Sequence, residues 1–101
     1  MAPSTTLNLI KNSFETWYNR NVAKDSPVSV VINYSDMQVL SIKAYHTVTI
    51  DVNIIGIQKR MSYTKSLIKI QENYNHGVTS EEEAKENLTM KLLEHLYSYQ
   101  A

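Results

Sequence analysis

The chain has 101 residues, 43% of them apolar and 20% charged, with ten cations against ten carboxylates and no cysteine. That length fits one small domain and that composition does not fit a disordered polymer. Without cysteine, a disulfide framework, a thiolate metal site and a cysteine nucleophile are all excluded.

Leu7, Ile10, Phe14, Trp17 and Tyr18 fall on one helical stripe and predict a first helix over about 6–21. Ser4, Thr5 and Thr6 offer N-cap hydroxyls, and Asp25, Ser26 and Pro27 end the segment. Val28, Val30, Ile32 and Tyr34 then share one face of a strand with Ser29 and Asn33 opposite, and Ser35–Asp36 reads as a tight turn. Leu40, Ile42 and Ala44 mark a further strand over 37–45. In HTVTIDVNIIGIQ, residues 46–58, Val48, Ile50, Val52 and Ile54 face one way and Thr47, Thr49, Asp51 and Asn53 the other. A bulge is expected near Gly56, where the period meets a residue without Cβ. Residues 61–71 read as a last strand, with Ser66, Ile68 and Ile70 opposite Lys65, Leu67 and Lys69. After the turn cluster NYNHG, Thr79 and Glu82 form a capping box. A second helix over about 80–99 then buries Ala84, Leu88, Leu92, His95, Leu96 and Tyr99.

Short connections between successive strands make an antiparallel meander. The expected fold is therefore α+β: a two-layer sandwich of three or four strands with the N- and C-terminal helices on one face. Thr47, Thr49, Asp51 and Asn53, joined by Val31, Ile55 and Ile57, would lie on the uncovered face.

No chemistry-bearing motif is written locally. His46, His76 and His95 have no zinc-ligand spacing, and the two glycines cannot build a phosphate-binding loop. There is no Gly-x-Ser-x-Gly elbow. Helix N-terminal stabilisation accounts for Glu81, Glu82 and Glu83 more simply than a cation site does. The sequence thus points to no catalytic residue, metal or cofactor. Charge, however, is unevenly spread. Residues 58–71 hold Lys59, Arg60, Lys65 and Lys69 and no carboxylate, whereas residues 72–101 carry a net charge of −4.

The element order and the segment SEEEAKENLTMKLLEHL resemble the double-stranded RNA-binding domain, with Ser80, Glu83, Ala84, Lys85, Leu93 and Leu96 at matching places. The resemblance implies an α-β-β-β-α fold and phosphate contacts at the start of the second helix. There, Glu81 and Glu82 stand where the family has lysines. Carboxylates at that location repel phosphates, so a relative of this kind would be one turned to protein contact.

These readings give a noncatalytic protein-interaction module of about 100 residues. It resembles the accessory or inhibitor proteins that phage and mobile elements direct at larger host proteins. Lys59, Arg60, Tyr63, Lys65, Lys69, Thr49, Asp51 and Asn53 are its candidate contact residues, with a protein partner or a second copy of the chain as occupant. The alternative is a nucleic-acid binder using residues 59–69. No stretch approaches the roughly 20 apolar residues that cross a bilayer. MAPSTTLNL lacks the basic and apolar regions of a secretory signal, so a cytoplasmic location without membrane attachment is expected.

Overall fold

A computed structural model describes residues 3–40, 42, 44–75 and 77–100, with side chains from Thr6 onward. His76 and the side chains of Ser4 and Thr5 lie outside the described residues. The order is α1 (Pro3–Asn21), β1 (Ser29–Val39), β2 (Tyr45–Gln58), β3 (Met61–Tyr74) and α2 (Glu81–Gln100). The strands form one antiparallel sheet in the order β1-β2-β3. Both helices cover the same face and touch each other, which gives the expected two-layer α+β sandwich.

The core lies between the layers. Leu7, Ile10, Phe14 and Tyr18 come from α1, and Ala84, Leu88, Leu92 and Leu96 from α2. Val28, just before β1, joins Val30, Val48, Ile50, Val52, Ile54, Ile68 and Tyr74 of the sheet. The helical stripe and the period-two stripe meet here, each burying the side that its spacing marks as apolar. Two polar tethers fix α1 to β1. Glu15 Oε2 accepts a hydrogen bond from Val30 N–H at 2.8 Å, and Asn19 bonds both Val28 N–H and Val28 C=O, at 2.8 and 3.0 Å. Another joins α2 to the sheet: Thr89 donates to Lys85 C=O at 2.7 Å and lies 2.8 Å from the Tyr34 hydroxyl.

Four local expectations are corrected. There are three strands: β1 runs through Ser35 and Asp36, which pair with Thr49 and Val48, and it ends at Val39. The turn propensity of Ser-Asp is outweighed because the Asp36 carboxylate finds partners on the neighbouring strands. It accepts from the Tyr74 hydroxyl at 2.9 Å, and it lies 3.4 Å from His46 Nδ1. The bulge is not at Gly56. Val52 pairs with Ile68 and Asn53 with Ser66, so Leu67 is the extra residue. Gly56 instead gives room to an aromatic ring, since a Cβ there would fall 2.7 Å from the Tyr63 ring directly opposite. The N-cap of α2 is Ser80, whose Oγ accepts from Glu83 N–H at 3.2 Å, one residue later than the Thr79–Glu82 pair. His95 is exposed, with Nδ1 2.9 Å from Lys91 C=O, while Thr89 takes a buried place on α2.

Candidate interaction surface

The bulge decides where the candidate residues point. In register, Lys65 stands opposite Ile54 and Tyr63 opposite Gly56, on the face that carries the core. Lys69 stands opposite Asp51, on the uncovered face. The strict alternation read from the sequence had put Lys65 and Lys69 together. The inserted Leu67, which packs against the core beside Ile68, breaks that phase and separates them. The basic segment is therefore not one strip.

Thr49, Asp51 and Asn53 do share the uncovered face. Thr49 sits at its centre between Ser35 and Gln71 and is 7% exposed, while Asp51 and Asn53 are half-buried. Nearby, Thr47 donates to Asn73 Oδ1 at 2.9 Å. The middle of this face is a polar lattice, and its exposed apolar residues lie toward the ends, Met37 at one and Ile55 and Ile57 at the other.

That end is the tip of the β2–β3 hairpin. Ser29 of β1 pairs with Ile55, so residues 56–58 and 61–63 extend past β1 as a two-stranded finger. Residues 57–66 are all exposed. Lys59 and Arg60 form the two-residue loop at φ 52° and 66°, both positive, as a type I′ turn requires. This conformation favours Asn and Gly and is uncommon for long cationic side chains. Ile57 and Met61, 70% and 72% exposed, flank the two cations.

The opposite end of the sheet, with the start of α2, has a different character. Asp36, His46 and Tyr74 gather there on three adjacent strands, and the His46 and Tyr74 rings stack at 5.1 Å. Burial, above all, pushes the Tyr74 phenol up to about 12, helped by its hydrogen bond to Asp36 and by the charges of Asp36 and Glu81. Unfolded, the same phenol ionises near 10. The folded state therefore holds this proton longer: the stabilisation is complete below pH 10 and is lost as the pH rises toward 12. Tyr74→Phe is expected to be less stable than wild type at pH 8, yet to lose less stability between pH 10 and 12. Urea melts at each pH measure this, and parallel curves for the two proteins would contradict it. Tyr18, also raised chiefly by burial, leaves some slope in the variant.

Lys85, the cation that matches the RNA-binding pattern, is engaged within the chain. Its Nζ is 2.9 Å from Glu81 and 5.3 Å from the centre of the Tyr34 ring. Lys91 pairs with Glu72 at 3.1 Å. Between α1 and α2 lies an apolar cleft of ≈ 260 Å³ lined by Leu9, Phe14, Leu93, Leu96 and Tyr97. Among the described residues, no histidine or carboxylate lines it. No group of three or more metal-ligating side chains occurs among the described residues, and none of the helices there is long and apolar enough to cross a membrane.

Sequence reasoning named the tip cations but missed their setting. No local signal marked it: Gln58 pairs with Met61 around Lys59–Arg60, a two-residue turn without the Asn-Gly signature. Comparison of the chain with protein-family models, curated proteins and solved structures finds no match. Its likeness to the double-stranded RNA-binding domain rests on the shared α-β-β-β-α order.

Proposed function

We propose that this chain is a noncatalytic protein-interaction module that meets its partner with the tip of the β2–β3 hairpin. The observation that carries this reading is the pair Lys59–Arg60 in left-handed backbone at the end of a finger that outruns the core. Backbone strain of this kind is retained where the residues serve a contact. Exposed Ile57 and Met61 beside the cations add the apolar component that a protein surface accepts. The partner is a larger protein with an acidic, partly apolar recess, and the module acts in the cytoplasm as an accessory or inhibitor that occupies it.

The second reading, nucleic-acid binding through residues 59–69, is favoured by the cations at this end. Two features weigh against it. Lys65 and Lys69 sit on opposite faces of the sheet and cannot follow one phosphate backbone. The start of α2, where the family resemblance would place phosphate contacts, holds Glu81, Glu82 and Glu83 at the far end of the molecule.

Affinity capture with the full chain, with and without nuclease, tests the reading. A captured protein should survive nuclease, and Lys59→Glu/Arg60→Glu should release it while leaving the melting temperature within a few degrees of wild type. Equal capture by that variant would remove the tip as the contact. A gel shift with RNA at low salt that weakens steeply as salt is added would put the nucleic-acid reading first.

A further inference from the structure

We propose that the hairpin tip of one copy docks on the acidic end of a second copy, so that the chain associates head to tail. This deepens the interaction reading above and rests on the tip being a contact.

The long axis of the molecule measures 49 Å, and the two ends carry opposite charge. β1 starts, and α1 finishes, at the tip end. Arg20, Lys24, Lys59, Arg60 and Lys65 gather there against Asp25, for a net +4. β3 finishes, and α2 starts, at the other end. Among the described residues, Asp36, Glu72, Glu81, Glu82, Glu83 and Glu86 gather there against Lys85 and Lys91, for a net −4. Lys85 and Lys91 are each held by a glutamate. Glu82 and Glu83 are exposed and have no ion pair among the described residues.

Each end also exposes large apolar side chains beside its charge. At the tip these are Ile57 and Met61. At the acidic end they are Leu40 and Val78, 80% and 84% exposed, together with Ile42, which is fully exposed. Ile57 and Met61 stand on opposite faces of the finger, on either side of the cations, so cations with exposed apolar side chains at one end have their complement, carboxylates with exposed apolar side chains, at the other. The contact joins two different surfaces, so it is heterologous: each added copy leaves a free tip and a free acidic end, and growth is open unless the rotation closes a ring. Opposite charges at a rim speed encounter and fix orientation, and salt screens them over about 10 Å at 0.1 M.

Sedimentation equilibrium of the full chain tests this. At 20 mM salt the wild-type average mass should rise at least twofold across a concentration series, and at 0.5 M salt it should fall toward the monomer. Lys59→Glu/Arg60→Glu and Glu82→Lys/Glu83→Lys should each remain monomeric at low salt, because like charges then face each other. An equimolar mixture of the two should regain mass, since every tip again meets an end of opposite sign. Circular dichroism melts confirm that both variants are folded, and the salt series on wild type stands without either variant. A wild type that stays monomeric at low salt overturns head-to-tail association. If Lys59→Glu/Arg60→Glu still releases the captured protein in that case, the interaction reading survives alone. If wild type and Lys59→Glu/Arg60→Glu associate equally strongly, docking through the tip is overturned, and if that variant also retains the captured protein the interaction reading falls with it. A mixture that fails to recover mass, beside an associating wild type, overturns the pairing of these two ends.

Discussion

Phe14→Ala is expected to remove about 3–5 kcal/mol of stability, the cost of emptying a large aromatic site in a packed core. Phe14 is 1% exposed, and its ring centre lies 5.8 Å from Trp17, 5.9 Å from Tyr18 and 5.7 Å from Tyr99. These four rings join the last turns of α1 to the end of α2, so the cavity would open at the only place where the two helices share aromatic packing among the described residues. The surrounding rings are stiff and collapse poorly into the void, which keeps the cost high. A domain of this size has a total stability of roughly 5–15 kcal/mol, and the variant would be partly unfolded at 37 °C if the wild type lies near the lower limit. Leu88→Ala, at a fully buried site facing the sheet, should lose about 2–5 kcal/mol. Equilibrium urea unfolding measures both. A loss below 1 kcal/mol for either would show that its helix is not docked as described.

Replacing Lys59–Arg60 by Asn-Gly should have two effects of opposite sign. Both positions have positive φ, and left-handed backbone costs an ordinary L-residue about 1–2 kcal/mol relative to the right-handed form. Asn-Gly adopts the turn with little strain, although Gly returns part of the gain as extra freedom in the unfolded chain. The net expectation is about 1 kcal/mol of added stability, or roughly 4–8 °C in melting temperature. The same change deletes both tip cations, so partner capture and concentration-dependent mass should disappear. A variant that is more stable and no longer binds would identify the strained turn as kept for contact. A variant that binds normally would show that the cations have no part in it.

The architecture was legible because the two periodicities are clean. Leu7, Ile10, Phe14 and Tyr18 repeat at helical spacing, and Val48, Ile50, Val52 and Ile54 alternate without interruption; all eight are buried. The errors share a cause: local propensity yields to cross-strand partners. Ser35–Asp36 has turn chemistry, but Tyr74 and His46 lie more than 35 and about 10 residues away in sequence, and only folding shows that they hold Asp36 in a strand. In the same way, Leu67 alternates normally in the sequence, and its extra place emerges only against the partner strand β2. That single residue accounts for the misjudged surface, because it put Lys65 and Lys69 on one side when the fold separates them.

The bonds from Glu15 and Asn19 to β1 have a bearing on solubility. Both outer strands of an open sheet invite stacking of further chains through main-chain pairing, the route to fibrils. Here the outward amides of Val28 and Val30 are already occupied by side chains of α1. On the far side, the Leu67 irregularity interrupts the ladder of β3, as a bulge does, and Lys65 and Lys69 stand beside it. The start of one border and the bulged stretch of the other are thus each blunted by their own device, which leaves contact there to side chains, which salt can loosen, rather than to backbone ladders that would be slow to undo.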